Sequence, residues 1–394
     1  MSSPADIAPS RPSAWNDPRV RGLVIQAVTL IAVIAAGAYL VHNTAENLAR
    51  QKIASGFGFL GSTAGFDISM HLIPYTVQST YAVAFVVGLL NTLLVAVIGV
   101  VLATAIGFVM GIARLSPNWI VSRLAAVYIE TVRNVPLLLQ LFFWYFAVLA
   151  AMPAPRQSLE LGAGFFLNIR GLQVPSPILE PGFWLIPLTL LTGIAATVVL
   201  AKWAKRRREA TGQIFPTAWA GLGLIVGAPI VMTLLAGVPI AFELPVLQGF
   251  NFQGGAVLLP EFVALLVGLS VYTGSFIAEI VRAGIQAVSH GQTEAAYALG
   301  LTRGRTLRLV VVPQALRVII PPLTSQYLNL TKNSSLAVAI AYPDLVSVFA
   351  GTVLNQTGQA VEVILITMAV YLAISLTISL AMNVYNRHVR LVER

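Results

Sequence analysis

The chain contains no cysteine, which excludes disulfide bridges and thiolate metal sites together. Histidine is nearly as scarce. His42, His71, His290 and His388 are the only four, scattered without the spacing of a ligand set, and no metal is implied. Charge is also in short supply, since only 10% of the 394 residues are Asp, Glu, Lys or Arg, against about 25% in an ordinary soluble domain. No stretch has the form GxxxxGK[ST], so the sequence shows no phosphate loop with which to bind ATP. An integral-membrane enzyme would place paired carboxylates, a serine with a histidine, or a metal cluster at one depth in the bilayer. Nothing in the sequence does so convincingly.

What is abundant is apolar surface. Hydrophobic residues make up 57% of the chain and its mean hydropathy is +0.82, values that belong in a bilayer. The net charge of +9 does not signal nucleic acid, because the basic residues cluster in short loops between apolar runs. Eight runs are long enough to span: 22–41, 83–112, 124–151, 184–201, 216–240, 258–287, 316–341 and 361–386. The expected fold is therefore all-α, a polytopic membrane protein of about eight transmembrane helices. The first run follows Arg19 and Arg21 as a signal peptide would. Its apolar stretch is longer than a signal's, and it reads as a retained anchor.

Orientation follows from the loops. Arg11, Arg19 and Arg21, then Arg114 and Arg123, the run Lys202 to Arg208, Arg303, Arg305 and Arg308, and finally Arg387, Arg390 and Arg394 all fall on one side. The positive-inside rule makes that side cytoplasmic and places both termini there. The opposite side carries the Gly-rich stretch 56–65 with Asp67, and the segment 152–183, whose Pro153, Pro155, Pro175, Pro177 and Pro181 predict an excursion without a continuous helix. The run Lys202 to Arg208 reads either as a topology anchor or as a site for anionic lipid headgroups. Gly107 with Gly111, and Gly223 with Gly227, have the spacing that lets helices approach closely.

The most informative stretch is the predicted cytoplasmic loop GQTEAAYALGLTRGRTLRLVVVPQA, from Gly291 to Ala315. Ser289 and Gln292 are spaced as a capping box, and Gly300 suits the left-handed position that ends a helix. Ala295, Ala296, Ala298 and Leu299 give the short helix between them a face of small residues. Pro313 marks the return to the membrane. Such an element either docks on another protein or rests on the bilayer, and its physics alone does not choose.

The spacing of Glu294, Ala295, Ala296, Gly300 and Pro313 resembles the EAA signature of permease subunits in bacterial ABC importers, with Leu307 where an aromatic residue is often found. The blocks GLLNTL (Gly88 to Leu93), RNVPLLLQLFFWY (Arg133 to Tyr145), FIAEIVRAGI (Phe276 to Ile285) and TKNSSL (Thr331 to Leu336) are similar to the polar amino-acid permeases. Together they cover most of the chain from about residue 80. FGFLGSTAGFDIS, Phe57 to Ser69, and the overall layout resemble the larger permease of the general L-amino-acid and glutamate, glutamine, aspartate and asparagine systems.

That resemblance implies a type I importer core of five helices, the second, third, sixth, seventh and eighth spans. To this core are added an N-terminal helix and a two-helix insertion. The chain divides accordingly into 1–80, the first core pair at 81–151, the insertion at 152–257 and the remaining core at 258–394, with the coupling loop at 290–315. The implied function is a permease subunit that moves L-amino acids, acidic or neutral polar or of broad range, by alternating access. The implied partners are an ATPase dimer that holds ATP and Mg, a second homologous permease, an extracytoplasmic amino-acid-binding protein and the lipid bilayer. A passive channel is the competing class, and the docking loop argues against it.

Charges inside the spans then report on a path or on pairing. Lys332, beside Ser334 and Ser335 in the seventh span, is able to meet a substrate carboxylate, with a structural ion pair as the alternative. Glu130 with Arg133, and Glu279 with Arg282, have the i, i+3 spacing of ion pairs that hold an inner gate or contact substrate. Asn91 and Gln140 lie deep in apolar runs, where each amide either lines the path or ties helices together.

Overall fold

The computed structural model describes residues 17–50, 55–238 and 240–389. Among them seven helices are long and apolar enough to cross a membrane, or eight if one sharply bent pair is a single span. The first, α1 (Pro18–Arg50), buries none of its described side chains. The predicted anchor is thus present as a helix that already includes Arg19 and Arg21, while Arg11 lies outside the described residues.

The core begins with α2 (Tyr81–Arg114), which starts where Thr80 caps Val83 N–H, and packs along α8 (Pro260–Gln286). Gly107 and Gly111 make that contact possible. A Cβ on Gly111 would stand 2.6 Å from the Ala278 carbonyl oxygen, and one on Gly107 would strike Ile277. The other predicted pair, Gly223 and Gly227, faces open space; Gly193 and Gly221 make the close approaches in that region instead.

The predicted third span is not continuous. α3 (Trp119–Asn134) and α4 (Leu137–Phe142), the latter prolonged as a π-helix through Leu149, meet at 108°. Pro136 is the cause, because it pushes the residue before it out of the helical region, and Val135 is extended at φ −96°, ψ 128°.

Between this bend and α8 lies the stretch expected as an insertion. α5 (Leu185–Thr211) forms a hairpin with a second span built from α6 (Thr217–Leu222), a π-turn at Gly223–Gly227 and α7 (Ala228–Leu235). The proline-rich excursion before the hairpin is ordered as strands, which its prolines did not suggest. β1 (Leu159–Gly162), β2 (Phe165–Asn168) and β3 (Gly171–Val174) join β8 (Ala256–Leu258) in one antiparallel sheet. β4 (Ser176–Leu179) pairs with β5 (Ile240–Glu243), and β6 (Val246–Gln248) with β7 (Asn251–Gln253). Prolines at strand edges and turns are compatible with such short pairings. The helical fold therefore carries small β-structure before and after this hairpin.

After α8 come α9 (His290–Ala298), α10 (Arg303–Thr306) and a π-turn at Leu307–Val311. α11 (Val312–Asn333) then tightens to a 3-10 helix over Ser334–Ile340. Pro321 and Pro322 do not break α11, as helices in a bilayer tolerate such residues where neighbours support them. A π-helix at Val346–Val353, α12 (Leu354–Thr357) and α13 (Ala360–Val389) complete the chain. The Gly-rich segment after α1 folds over the end of α2, where Phe59, Ala64, Ile68 and Tyr75 share a core with Phe349 and Val353.

Candidate functional site

The loop between α8 and α11 is rigid for reasons visible residue by residue. Gly300 adopts φ +75°, its N–H donates to the Tyr297 carbonyl, and Leu301 N–H donates to the Ala296 carbonyl. Those two bonds are a Schellman ending for α9. At the other end Ser289 has an N-cap backbone, φ −62° and ψ 143°, but its hydroxyl makes no capping bond. The expected capping box does not form, because Gln292 is engaged elsewhere: its Oε1 accepts from Gln314 Nε2 at 3.2 Å, tying α9 to the start of α11. Pro313 follows directly on the π-turn at Leu307–Val311 inside the continuous helical run Arg303–Ile340, where its missing N–H goes with the local widening of the helix.

This helix divides its small residues between two faces. Ala296 is buried at 4% exposure, whereas Glu294, Ala295 and Ala298 are exposed and Leu299 is 82% exposed. Tyr297 and Leu307 are also exposed beside it. Apolar side chains held outward on a capped helix make a surface that a partner can cover.

Five charged groups gather where α2, α3 and α8 meet. Arg282 grips Glu279 with two hydrogen bonds, Nε to Oε2 at 3.0 Å and Nη2 to Oε1, and Arg282 also reaches Gln286. The predicted Glu130–Arg133 pair does not form. Glu130 pairs with Arg114 of α2 at 3.7 Å, and the Arg133 guanidinium lies 5.0 Å from the Phe276 ring centroid. A neighbouring helix offers Glu130 a cation, and an aromatic face holds Arg133.

Lys332 occupies the last turn of α11, directly before the helix changes pitch. It is exposed and has no carboxylate within ion-pair distance among the described residues. Ser334 and Ser335 bond back to the carbonyls of Thr331 and Lys332. Both amides are tied to backbone. Asn91 Nδ2 donates to the carbonyls of Met70 and Pro343, each at 2.8 Å, and Gln140 Nε2 bridges the carbonyls of Val132 and Val135 at 2.8 and 2.9 Å across the Pro136 bend.

Sequence reasoning did not single out Asp344, which is completely buried in the connection between α11 and α13. It accepts from Ser347 N–H at 2.8 Å and from the Tyr371 hydroxyl at 3.3 Å. Burial pushes its carboxyl up to about 7, against the opposing pull of the Ser347 and Val346 N–H groups and Tyr371. Around it Thr92 Oγ1 accepts from Leu345 N–H, and the Tyr342 hydroxyl donates to the Asn91 carbonyl. The signal available was a carboxylate among apolar neighbours immediately after a proline.

The fold is that of a helical, multispanning membrane protein with a capped loop that holds apolar side chains outward. Comparison gives the family. The pattern of the binding-protein-dependent transport system inner membrane component matches residues 103–391, and this chain belongs to that family. It is 52% identical over 382 residues to the general L-amino acid transport system permease protein AapQ of Rhizobium johnstonii, covering 97% of this chain and 95% of that one. It is 54% identical over 381 residues to the putative amino-acid ABC transporter permease protein YhdX of Escherichia coli, covering 97% of each. The glutamate/glutamine/aspartate/asparagine transport system permease protein BztB of Rhodobacter capsulatus is 44% identical over 409 residues, covering 96% of each. The chain is thus the transmembrane permease subunit of an amino-acid ABC importer, a multi-pass protein of the inner membrane. It is not itself an enzyme, and it works with a separate ATPase and a binding protein.

Proposed function

We propose that this chain imports L-amino acids as one half of a permease pair, with α9 as the helix on which the ATPase pushes. The observation that carries the docking role is the outward Glu294 and Leu299 on a helix stiffened by the Schellman ending at Gly300. Glu294, Ala295, Ala296, Gly300 and Pro313 form the EAA element at 290–315. ATP and Mg are held by the ATPase dimer, and a secreted binding protein delivers substrate to the extracytoplasmic side.

The five-helix core comprises α2, the bent α3–α4 span, α8, α11 with its 3-10 extension, and α13. α1 and the hairpin at 152–257 are additions, and both termini lie in the cytoplasm. The second permease is a homologous chain, so the pair is a heterodimer. Lys332, with Ser334 and Ser335, faces the path between the two permeases. Its unpaired ammonium supports this, since an uncompensated lysine within a span costs about 2.5 kcal/mol or more and wants a polar cavity or a partner. Asn91 and Gln140 hold the helices at their breaks, and the Glu279–Arg282 and Glu130–Arg114 pairs brace the cytoplasmic mouth.

Cargo is acidic or neutral polar amino acids, or a broad range. The names of AapQ and BztB support that choice, as does the positive charge of Lys332 and Arg133. Proteoliposomes holding this chain with its ATPase, second permease and binding protein should take up labelled glutamate and glutamine when supplied with internal ATP. Lys332→Ala should lower uptake and leave the assembly's ATPase activity in place. Uptake unchanged by Lys332→Ala would remove it from the path, and no uptake of any amino acid would overturn the cargo class.

A further inference from the structure

The two-helix insertion carries charge that the transport cycle described above does not use. Lys202, Lys205, Arg206, Arg207 and Arg208 crowd the last turns of α5, with Glu209 as the one acidic neighbour. Among the described residues the sole carboxylate contact is Lys205–Glu209 at 3.9 Å, between two side chains that are each more than 60% exposed. Lys202, Arg206 and Arg208 have no acidic partner within ion-pair distance among the described residues, and all three are exposed. Orientation alone asks for less, since the connection between α2 and α3 is flanked only by Arg114 at the end of α2 and Arg123 in the first turns of α3.

Depth is set by tryptophan. Trp184, the N-cap of α5, and Trp203 within it are 19 residues apart, about 28 Å at 1.5 Å per residue, close to the roughly 30 Å of a hydrocarbon core. Indole rings favour the interface, so this spacing puts Trp184 at one boundary of the bilayer and Trp203 at the other. Trp203 is fixed there. Its ring meets Phe215 edge-on at 5.5 Å, and Arg207 stands over it at 5.3 Å while bonding Gln213. Trp219 and Ile214, both more than 70% exposed, flank the same boundary from the other arm of the hairpin. The hairpin packs on itself through Gly193 against Leu224 and Gly221 against Thr197, which leaves Leu188, Leu191, Val198 and Val199 outward.

We propose that the Lys202–Arg208 cluster is a binding surface for anionic phospholipid headgroups in the cytoplasmic leaflet, by which the insertion fastens the permease to acidic lipid. Four to eight cations directly beyond a spanning helix are the composition that recognises such headgroups. Trp203 holds the cluster at the phosphate layer, Lys202, Arg206 and Arg208 supply donors that no acid among the described residues consumes, and Lys205 shares its charge only with the exposed Glu209 at 3.9 Å. Arg207 serves the indole.

Native mass spectrometry of the assembled importer tests this with phosphatidylglycerol and phosphatidylcholine as probes. Wild type should retain phosphatidylglycerol in preference to phosphatidylcholine. Combining Lys205→Gln, Arg206→Gln and Arg208→Gln should reduce that preference at least about fivefold, the effect of losing one cation near an anionic surface. Lys205→Arg should keep it. Because the chain lacks cysteine, Gln213→Cys reports orientation by labelling, and it should remain cytoplasmic in the triple variant. Equal preference in wild type and triple variant would overturn the proposal. Inversion of the hairpin in the triple variant, with the preference intact in correctly inserted single variants, would assign the run to topology and overturn it as well.

Discussion

Glu130 pairs with Arg114 of the neighbouring helix at 3.7 Å and leaves Arg133, one turn further along its own helix, over the ring of Phe276. The Glu130 side chain is 70% exposed, so this pair contributes at most about 1 kcal/mol. Glu279 and Arg282 are each about two-thirds buried and doubly bonded, which makes loss of one partner the more damaging change. Thermal unfolding of the purified assembly should show Glu130→Gln within a degree or so of wild type. Arg282→Gln should lower the melting temperature by several degrees.

Gln140 is expected to behave as a brace. Gln140→Ala would strip donors from the carbonyls of Val132 and Val135 at the 108° bend, a loss of about 1 to 2 kcal/mol for two part-buried hydrogen bonds. Reduced thermal stability with an unchanged Michaelis constant for uptake is the predicted outcome. A raised Michaelis constant at normal stability would move Gln140 into the path.

Asp344 predicts a pH dependence. Its folded carboxyl titrates near 7 and its ordinary value is 3.8, so folding takes up a proton between those limits. Its contribution is most favourable below about pH 4, is lost as pH rises through the window to 7, and stays lost above it. Asp344→Asn keeps an acceptor for Ser347 N–H while removing the buried charge. The variant should melt higher than wild type at pH 8, with the difference shrinking at pH 5.

Much of this was legible from residues alone, and the exceptions share a cause. Long apolar runs define the spans, because the bilayer forces every backbone group into helices. Gly300 was readable, since only glycine takes φ +75° without strain. The bend at Pro136 was hidden inside an unbroken apolar run, although the proline that causes it was in plain view. Pairings across helices escaped: the i, i+3 rule proposes Arg133 for Glu130 because it sees one helix, and Arg114 arrives only through packing. Gln292 illustrates the same limit, its capping role displaced by Gln314 from 22 residues away. Asp344 was invisible as a site because burial is a tertiary fact.

The outward face of α9 carries the coupling role. The decisive measurement is ATP-driven amino-acid uptake by the reconstituted importer carrying Glu294→Lys, with membrane insertion and assembly of the permease pair checked in the same preparation. Insertion should be normal, because Glu294 is exposed and the helix is held by the Schellman bonds of Gly300 and Leu301. Uptake should be abolished, and ATP hydrolysis should no longer respond to the loaded binding protein. Normal uptake by the inserted variant would contradict the docking of this loop on the ATPase.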